Sequence, residues 1–264
     1  MSEPATLTVD EGIARITLDR PEQRNPLSEG MTTAIRDHLE TVRQRSDVRV
    51  VVFEGAGTAF CAGGDIDWMT DTIENDVPLH RRSTELQSTT HRTIADVYTL
   101  PVPTIAAIDG PAVGAGAALA IACDLQIMSE RSVMGFVFRN VGLAVDSGTS
   151  YLLARVVGTN TAKELVMTGE IFGAERAASL GLVNRVVPDE EFDARKTTFV
   201  DEVASGPTVA ITESFRLIDE AFEKSFEQAL QDEATAQGVV FGTDDHREGV
   251  DAFTAGREPE FEGN

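Results

Sequence analysis

The stretch Gly110-Pro111-Ala112-Val113-Gly114-Ala115-Gly116 is the most informative part of this chain. It follows a strand-like apolar run, residues 103–108, and leads into an Ala/Leu-rich helical segment, residues 117–122. Glycines at a strand-to-helix turn let backbone N–H groups approach a ligand, and the helix N-terminus adds a partial positive charge. Such a turn suits a phosphate, or the negative oxygen that develops on a carbonyl during a reaction. Taken alone, the motif fits a turn needed only for packing at least as well.

A second glycine turn, Phe60-Cys61-Ala62-Gly63-Gly64-Asp65-Ile66, follows another buried strand at residues 50–55. With it the chain resembles the crotonase superfamily, the enoyl-CoA hydratases and isomerases. The resemblance extends over nearly the whole chain, and its motifs come in the family's order. Besides the two glycine turns, they are an R-P-x-x-x-N-x-L segment at 20–27, a segment at 169–187 and a C-terminal signature at 248–261.

The order of predicted elements agrees with this resemblance, which implies an α/β fold built as a spiral of ββα units. A hairpin is expected at 5–9 and 13–18, a helix capped by Ser28 to about Arg45, and a mobile loop at 70–83 that forms much of the pocket wall. A helix is expected from about 83 to 98. We assign residues 1–205 to the spiral core and 206–264 to a helical region. The apolar stripe at 209–237 should cover the core or another subunit, and the resemblance makes it the trimerisation region of a homotrimer or dimer of trimers.

Composition excludes several classes of protein. The net charge is −22, with 44 acidic residues and only three lysines among 22 basic ones, so a nucleic-acid footprint is absent. The dispersed acids suggest adaptation to a high-salt cytosol, the alternative being an ordinary acidic protein. The sequence contains no run of about 18 apolar residues, so we expect no membrane span. The N-terminus lacks the basic and apolar regions of a signal peptide. With Cys61 and Cys123 interpreted as inert thiols, we expect a cytoplasmic protein.

The resemblance implies an acyl-CoA site. The thioester oxygen would lie between the backbone N–H groups of Gly64 and Ala115, where Ala115 replaces the usual middle glycine. Backbone groups of Ala62, Asp65 and Ile66 would cradle the adenine and pantetheine end. Arg24 would contact a CoA phosphate, although a solvated arginine is as consistent with the sequence. Pro111, Gly114 and Phe138 complete the expected substrate-binding set. Coenzyme A is part of the substrate, so no separate cofactor is expected.

The acids are where the chain departs from the hydratases of the family. Their two glutamates correspond here to Ala118 and Phe138, which makes simple hydration doubtful. One acid remains, Asp146, in a segment that resembles those of the isomerases and the 4-chlorobenzoyl-CoA dehalogenases. Apolar neighbours at 143–145 would make it a stronger base than a surface aspartate. The competing interpretation is that Asp146 only caps the following helix.

His91 is a second candidate, because it lies at the spacing at which the dehalogenases carry a histidine base. It shares a helical face with Ile94 and Tyr98, and a packed histidine is the alternative. Phe138 and Gly64 replace aromatic residues of those dehalogenases, which counts against that reaction. The other histidines, at 38, 80 and 246, have no metal-ligand spacing, so no metal site is predicted.

The sequence therefore favours an enoyl-CoA isomerase with Asp146 as its single acid and base. The alternatives are a hydratase or aryl-CoA dehalogenase on the same scaffold, or a non-catalytic scaffold protein. An RNA-binding homologue conflicts with the net charge, and Ser147 and Ser150 lack the G-x-S-x-G elbow of a serine hydrolase.

Overall fold

The computed structural model describes residues 3–264, which form a mixed α/β fold with two sheets. The main sheet has six strands in the order β1-β2-β3-β4-β6-β9, and the second has three in the order β5-β7-β8. The strands are β1 Ala5–Asp10, β2 Ile13–Leu18, β3 Val50–Gly55, β4 Thr104–Ile108, β5 Ala112–Val113, β6 Leu125–Ser129, β7 Val133–Gly135, β8 Ile171–Gly173 and β9 Arg185–Val187.

The main sheet is parallel except at its first edge. β1 and β2 form the predicted antiparallel hairpin, turning at Glu11 and Gly12, both of which have positive φ. From β2 onward every pair is parallel, and all five residues of β4 are buried. Burial of every residue is expected for a strand covered on both faces, because helices lie over both sides of a parallel sheet.

Twelve α-helices surround and extend these sheets within the described residues. They are α1 Glu29–Arg43, α2 Ile66–Glu74, α3 Leu79–Leu86, α4 Arg92–Tyr98, α5 Ala115–Ala122, α6 Thr149–Val157, α7 Thr159–Thr168, α8 Ala174–Ser179, α9 Phe192–Ala204, α10 Thr208–Glu220, α11 Phe226–Val240 and α12 Asp244–Ala255. α1 begins as predicted, with the Ser28 hydroxyl accepting a hydrogen bond from the Met31 N–H at 3.3 Å. No helix in residues 3–264 has the length and apolarity needed to cross a membrane.

The prediction of a mobile loop at 70–83 is wrong, because most of this segment is helical. α2 runs through residue 74, Pro78 stands at the N-cap of α3, and helix continues as a π-helical turn, Gln87–His91, into α4. Proline suits the start of a helix, since its fixed φ is compatible and its missing N–H is not needed there. α3 buries none of its residues, so its sequence lacks the apolar periodicity that identifies most helices.

The helical C-terminal region is confirmed, but its apolar stripe is not one continuous helix. The chain breaks between α10 and α11 at a 3-10 turn, Ala221–Glu223, and α11 restarts at Ser225 with a capping box. Several large apolar side chains remain exposed on the single chain: Ile218, Phe222, Phe226, Leu230, Phe241 and Phe253. Arg49 connects this region to the core by donating hydrogen bonds to the carbonyls of Gly206 and Phe261.

Candidate active site

The two glycine turns meet directly. Cys61 forms a parallel bridge with Ala112, in which the Cys61 N–H donates to the Pro111 carbonyl and the Val113 N–H donates to the Cys61 carbonyl, both over 3.1 Å. The glycine turn at residues 60–66 is also joined to the 20–27 segment, because the Ala62 N–H donates to the Arg24 carbonyl at 2.9 Å. Three motifs that are far apart in sequence therefore share one backbone network.

Glycine is required where these turns touch. A Cβ on Gly116 would overlap the Cys61 carbonyl oxygen, and a Cβ on Gly63 would lie 2.7 Å from the Val113 oxygen. Gly114 has φ +56° and ψ −124°, a backbone conformation that side chains disfavour. Packing thus accounts for Gly116, whereas Gly63 and Gly114 also shape the backbone around the N-terminus of α5.

The N–H groups of Gly64 and Ala115 are available for a ligand. Neither donates to another group among residues 3–264. In the bridge between Leu27 and Gly64, the Leu27 N–H donates to the Gly63 carbonyl, and the Gly64 N–H takes no part. Ala115 is the first residue of α5, so its N–H has no acceptor within the helix. A Cβ placed on Gly63 would lie 3.4 Å from the Ala115 nitrogen, so the two donors come from adjacent backbone segments. Ala115 is not among the residues with positive φ, so alanine suits this position. Two convergent backbone donors can hold an oxyanion.

Both donors line one cavity of about 160 Å³, and Asp146 lines it too. Of the residues predicted from the sequence, eight contribute to this cavity: Gly64, Ala115, Asp146, Ala62, Asp65, Ile66, Gly114 and Phe138. His91, Arg24 and Pro111 do not. The site predicted from distant motifs is thus largely brought together by the fold.

Asp146 is held by its neighbour. The Ser147 hydroxyl donates to Asp146 Oδ1 at 2.7 Å, and Ser147 itself is fully buried with φ +53°. α6 begins after Gly148, and no side chain caps it; the Thr149 N–H is accepted instead by the Asp146 main-chain carbonyl at 2.9 Å. The interpretation of Asp146 as a side-chain cap is therefore wrong, which leaves its carboxylate for another role.

The prediction that Asp146 has apolar surroundings is also wrong for the single chain. Leu143 and Ala144 are exposed, Val145 and Asp146 are half-buried, and the partner of the carboxylate is the Ser147 hydroxyl. Residues 143–146 lie in an irregular connection between a 3-10 turn, Phe138–Val141, and α6 rather than in a packed helix.

His91, Arg24 and Pro111 lie outside the cavity for different reasons. His91 ends the π-helical turn, and its buried Nε2 has no hydrogen-bond partner among residues 3–264. Arg24 is exposed in a left-handed conformation, and its carbonyl accepts from the Ala62 N–H of the 60–66 turn. The Pro111 carbonyl accepts the Cys61 N–H and so joins the two glycine turns. The Ala62 N–H is likewise engaged in the backbone network and does not face a ligand.

The positions of the two missing glutamates are apolar in three dimensions as well. Ala118 is fully buried in α5, and Phe138 is 6% exposed and lines the cavity. Neither position can exchange a proton with a substrate. Asp146 lines the same cavity as Phe138.

Sequence reasoning missed one wall of the cavity. Residues 70–83 contribute nothing to it; the wall comes instead from Trp68 and Met69 of α2, Glu85 and Leu86 of α3, and the π-helical turn. Trp68 Nε1 donates to Glu85 Oε1 at 2.6 Å. Trp68 is the only tryptophan and follows the glycine turn by four residues, which was a usable signal. Nothing in the sequence paired it with Glu85 across Pro78.

The cavity is acidic. Four acidic residues line it, Glu29, Asp65, Glu85 and Asp146, and none of the lining residues within 3–264 is a lysine, arginine or histidine. The Asp65 carboxylate already accepts the Asp67 and Trp68 N–H groups at the start of α2, whereas Glu29 is exposed at the start of α1. Glu85 and Asp146 are therefore the two acids left to contact a ligand inside, and Glu85 is held by the Trp68 indole N–H.

Known proteins match the chain over its whole length. The family model described as "Enoyl-CoA hydratase/isomerase" matches residues 8–264. The chain belongs to the enoyl-CoA hydratase/isomerase family. It is 36% identical to "Putative enoyl-CoA hydratase" of Thermus thermophilus, over 96% of this chain and 99% of the relative. It is 30% identical to the 1,2-epoxyphenylacetyl-CoA isomerase of Escherichia coli, over 97% of each chain.

Solved structures give the same family. An enoyl-CoA hydratase from Polaromonas sp. JS666 superposes with a TM-score of 0.91 at 30% identity, covering 97% of this chain and 99% of that one. The crotonase-type α/β fold and the family membership expected from the sequence are therefore confirmed.

Proposed function

We propose that the protein is an acyl-CoA isomerase that moves a carbon–carbon double bond, with Asp146 as its only acid and base. One observation carries this proposal: Asp146 lines the same cavity as Gly64 and Ala115, whose N–H groups are unpaired within residues 3–264, while Ala118 and Phe138 occupy the glutamate positions. The relative named 1,2-epoxyphenylacetyl-CoA isomerase supports isomerisation of a CoA ester on this scaffold, and the relatives with hydratase names support the shared acyl-CoA scaffold.

The reaction requires one proton carrier. With a 3-enoyl-CoA, Asp146 takes a proton from C2, and the electron pair of that C–H bond moves into C1–C2 while the carbonyl pair moves onto the thioester oxygen, which gives a dienolate conjugated with C3 and C4. When the dienolate collapses, the same proton returns at C4. The C3–C4 double bond becomes a C2–C3 double bond, and no atom is gained or lost. The Gly64 and Ala115 N–H groups stabilise the dienolate more than the neutral thioester, which is the direction that lowers the barrier.

Hydration and dehalogenation each require a catalytic group beyond Asp146. Adding water requires one group to activate the water and another to protonate carbon, and neither glutamate position supplies one. A 4-chlorobenzoyl-CoA dehalogenase requires a histidine base, and His91 does not line the cavity. A non-catalytic scaffold would bind acyl-CoA without turnover.

Three CoA esters assayed side by side test the proposal. With 3-hexenoyl-CoA we expect formation of the conjugated 2-enoyl ester, whereas 2-hexenoyl-CoA in water and 4-chlorobenzoyl-CoA should react at no more than trace rates. Hydration of 2-hexenoyl-CoA or release of chloride at a higher rate than isomerisation would contradict it. Binding of all three esters with no turnover would support the scaffold interpretation.

We further propose that the chain assembles as a homotrimer or a dimer of trimers. Phe222, Phe226 and Phe253 are each more than 70% exposed on the single chain, and water contact with so much aromatic surface is unfavourable. Light scattering should give three or six times the mass of one chain, and Phe226→Glu should lower it. A monomer in both low and high salt would contradict this assembly.

A further inference from the structure

Glu85 is a carboxylate in the cavity for which the isomerase mechanism has no use. It lies near the end of α3, half-buried, and faces the same cavity as Asp146 and the two N–H donors. Its Oε1 accepts the Trp68 indole N–H at 2.6 Å, which fixes the side chain against α2. A rigidly held acceptor in a mostly apolar pocket is the usual means of selecting a ligand group.

The second oxygen of Glu85 is unengaged. No lysine, arginine or histidine within residues 3–264 forms an ion pair with Glu85, and its Oε2 accepts no hydrogen bond there. A partly buried carboxylate is stabilised when a donor reaches it, because a hydrogen bond to a charged group is stronger than one between neutral groups. The cavity contains no basic side chain that could supply this donor.

The location of Glu85 indicates which part of a ligand it meets. Met69, next to Trp68, packs on the turn that carries one oxyanion donor, since a Cβ on Gly64 would lie 2.9 Å from Met69 Cε. The cavity wall formed by α2 and α3 therefore starts beside the thioester position. Glu85 contributes to this wall and is hydrogen-bonded to Trp68. With the pantetheine arm at Ala62, Asp65 and Ile66, as the resemblance implies, we place the acyl chain farther along this wall, beside Glu85.

We propose that Glu85 selects acyl-CoA esters whose acyl chain carries a hydrogen-bond donor, such as a hydroxyl group, and rejects chains that end in a carboxylate. The donor would occupy Glu85 Oε2, while Trp68 keeps Oε1. A carboxylate-ended chain would meet a second negative charge with no cation nearby. This inference rests on acyl-CoA binding in the proposed site but not on the isomerase chemistry.

The fluorescence of Trp68, the only tryptophan, measures binding without any reaction. Saturated esters serve as probes: hexanoyl-CoA, the 3- to 6-hydroxyhexanoyl-CoA series, 6-aminohexanoyl-CoA and hexanedioyl-CoA. We expect at least one hydroxyhexanoyl ester to bind about 10-fold more tightly than hexanoyl-CoA, and hexanedioyl-CoA to bind about 10-fold more weakly. Tighter binding of the amino ester alone would identify the donor as an ammonium group.

Two variants separate recognition from a structural role. Glu85→Leu removes the acceptor and should abolish the preference for the donor-bearing ester. Glu85→Gln can still accept from Trp68 but carries no charge, so it should relieve the discrimination against hexanedioyl-CoA. Glu29→Gln is the matched control, because Glu29 lines the same cavity at its exposed rim, and it should leave both ratios unchanged.

Each outcome has a distinct meaning. Equal affinity of the wild-type protein for all neutral and donor-bearing esters would overturn the role of Glu85 while leaving the acyl-CoA site intact. A Glu85→Leu variant that weakens every ester by the same factor would show a purely structural contact with Trp68. Failure of every ester to bind would overturn the proposed acyl-CoA site, and this inference with it.

Discussion

The Ser147 hydroxyl donates a 2.7 Å hydrogen bond to Oδ1 of Asp146, its immediate neighbour in sequence. Ser147 is fully buried, and its φ of +53° is uncommon for a residue other than glycine. Strained backbone of this kind persists only where the surrounding structure determines it, and it is concentrated at functional sites. The turn thus places a carboxylate in the cavity and fixes its orientation.

Replacing Ser147 should therefore impair catalysis more than binding. Without the hydroxyl, Asp146 samples other rotamers, and we expect Ser147→Ala to lower kcat about 10-fold with a much smaller change in KM. Ser150→Ala, on the exposed side of the first turn of α6, is the control and should behave as wild type. An unchanged kcat in Ser147→Ala would show that the hydroxyl does not position the acid.

The oxyanion donors can be tested through the glycine that positions them. A Cβ on Gly63 would lie 2.7 Å from the Val113 oxygen and would push apart the segments that carry the Gly64 and Ala115 N–H groups. We expect Gly63→Ala to reduce kcat about 100-fold or more. Gly173→Ala is the control, since no atom lies within 4 Å of its new Cβ. Full activity in a folded Gly63→Ala protein would contradict the assignment of these donors.

A half-buried acid outside the active-site cavity, Asp124, gives a pH-dependent prediction. Burial raises the pKa of Asp124 from 3.8 to about 6, although Thr104 donates two hydrogen bonds to the carboxylate. Between these pH values the folded protein retains a proton that the unfolded chain has released, so stability falls as pH rises from about 4 to 6. Above about pH 6 the carboxylate is charged in both states, so its unfavourable contribution to the free energy of unfolding no longer changes with pH.

We therefore expect Asp124→Asn to be more stable than wild type at pH 7, by an amount on the order of 1–2 kcal/mol, and nearly equal to it at pH 4. The amide keeps an acceptor for Thr104 and carries no charge. Thermal unfolding of both proteins at the two pH values measures this difference. The same Tm difference at pH 4 and pH 7 would contradict the raised pKa.

The acidic surface predicts a dependence on salt. A net charge of −22 opposes compaction at low ionic strength, and salt screens this repulsion within a few ångströms at molar concentration. We expect Tm to rise by several degrees between 0.05 M and 2 M KCl. A Tm that does not change over this range would count against adaptation to high salt.

Much of the fold and site could be predicted because several motifs impose backbone requirements. The alternating residues of the first hairpin, the Ser28 cap and the two glycine turns each dictate local geometry, and the resemblance places them relative to one another. The wall at Trp68 and Glu85 could not be predicted in this way, because its contact depends on how α2 and α3 fold around Pro78. The exposure of Leu143 and Ala144 likewise depends on tertiary packing, which apolar composition alone does not reveal.

The most direct test of the proposed mechanism is the turnover of 3-hexenoyl-CoA by Asp146→Asn. The amide matches the carboxylate in size and can still accept from Ser147 but cannot take up the proton. With a sole acid and base removed, kcat should fall about 1,000-fold or more while the affinity for hexanoyl-CoA changes little. His91→Gln, outside the cavity, should retain nearly full activity. Near-normal turnover by Asp146→Asn would contradict the account, because no other residue is assigned to carry the proton.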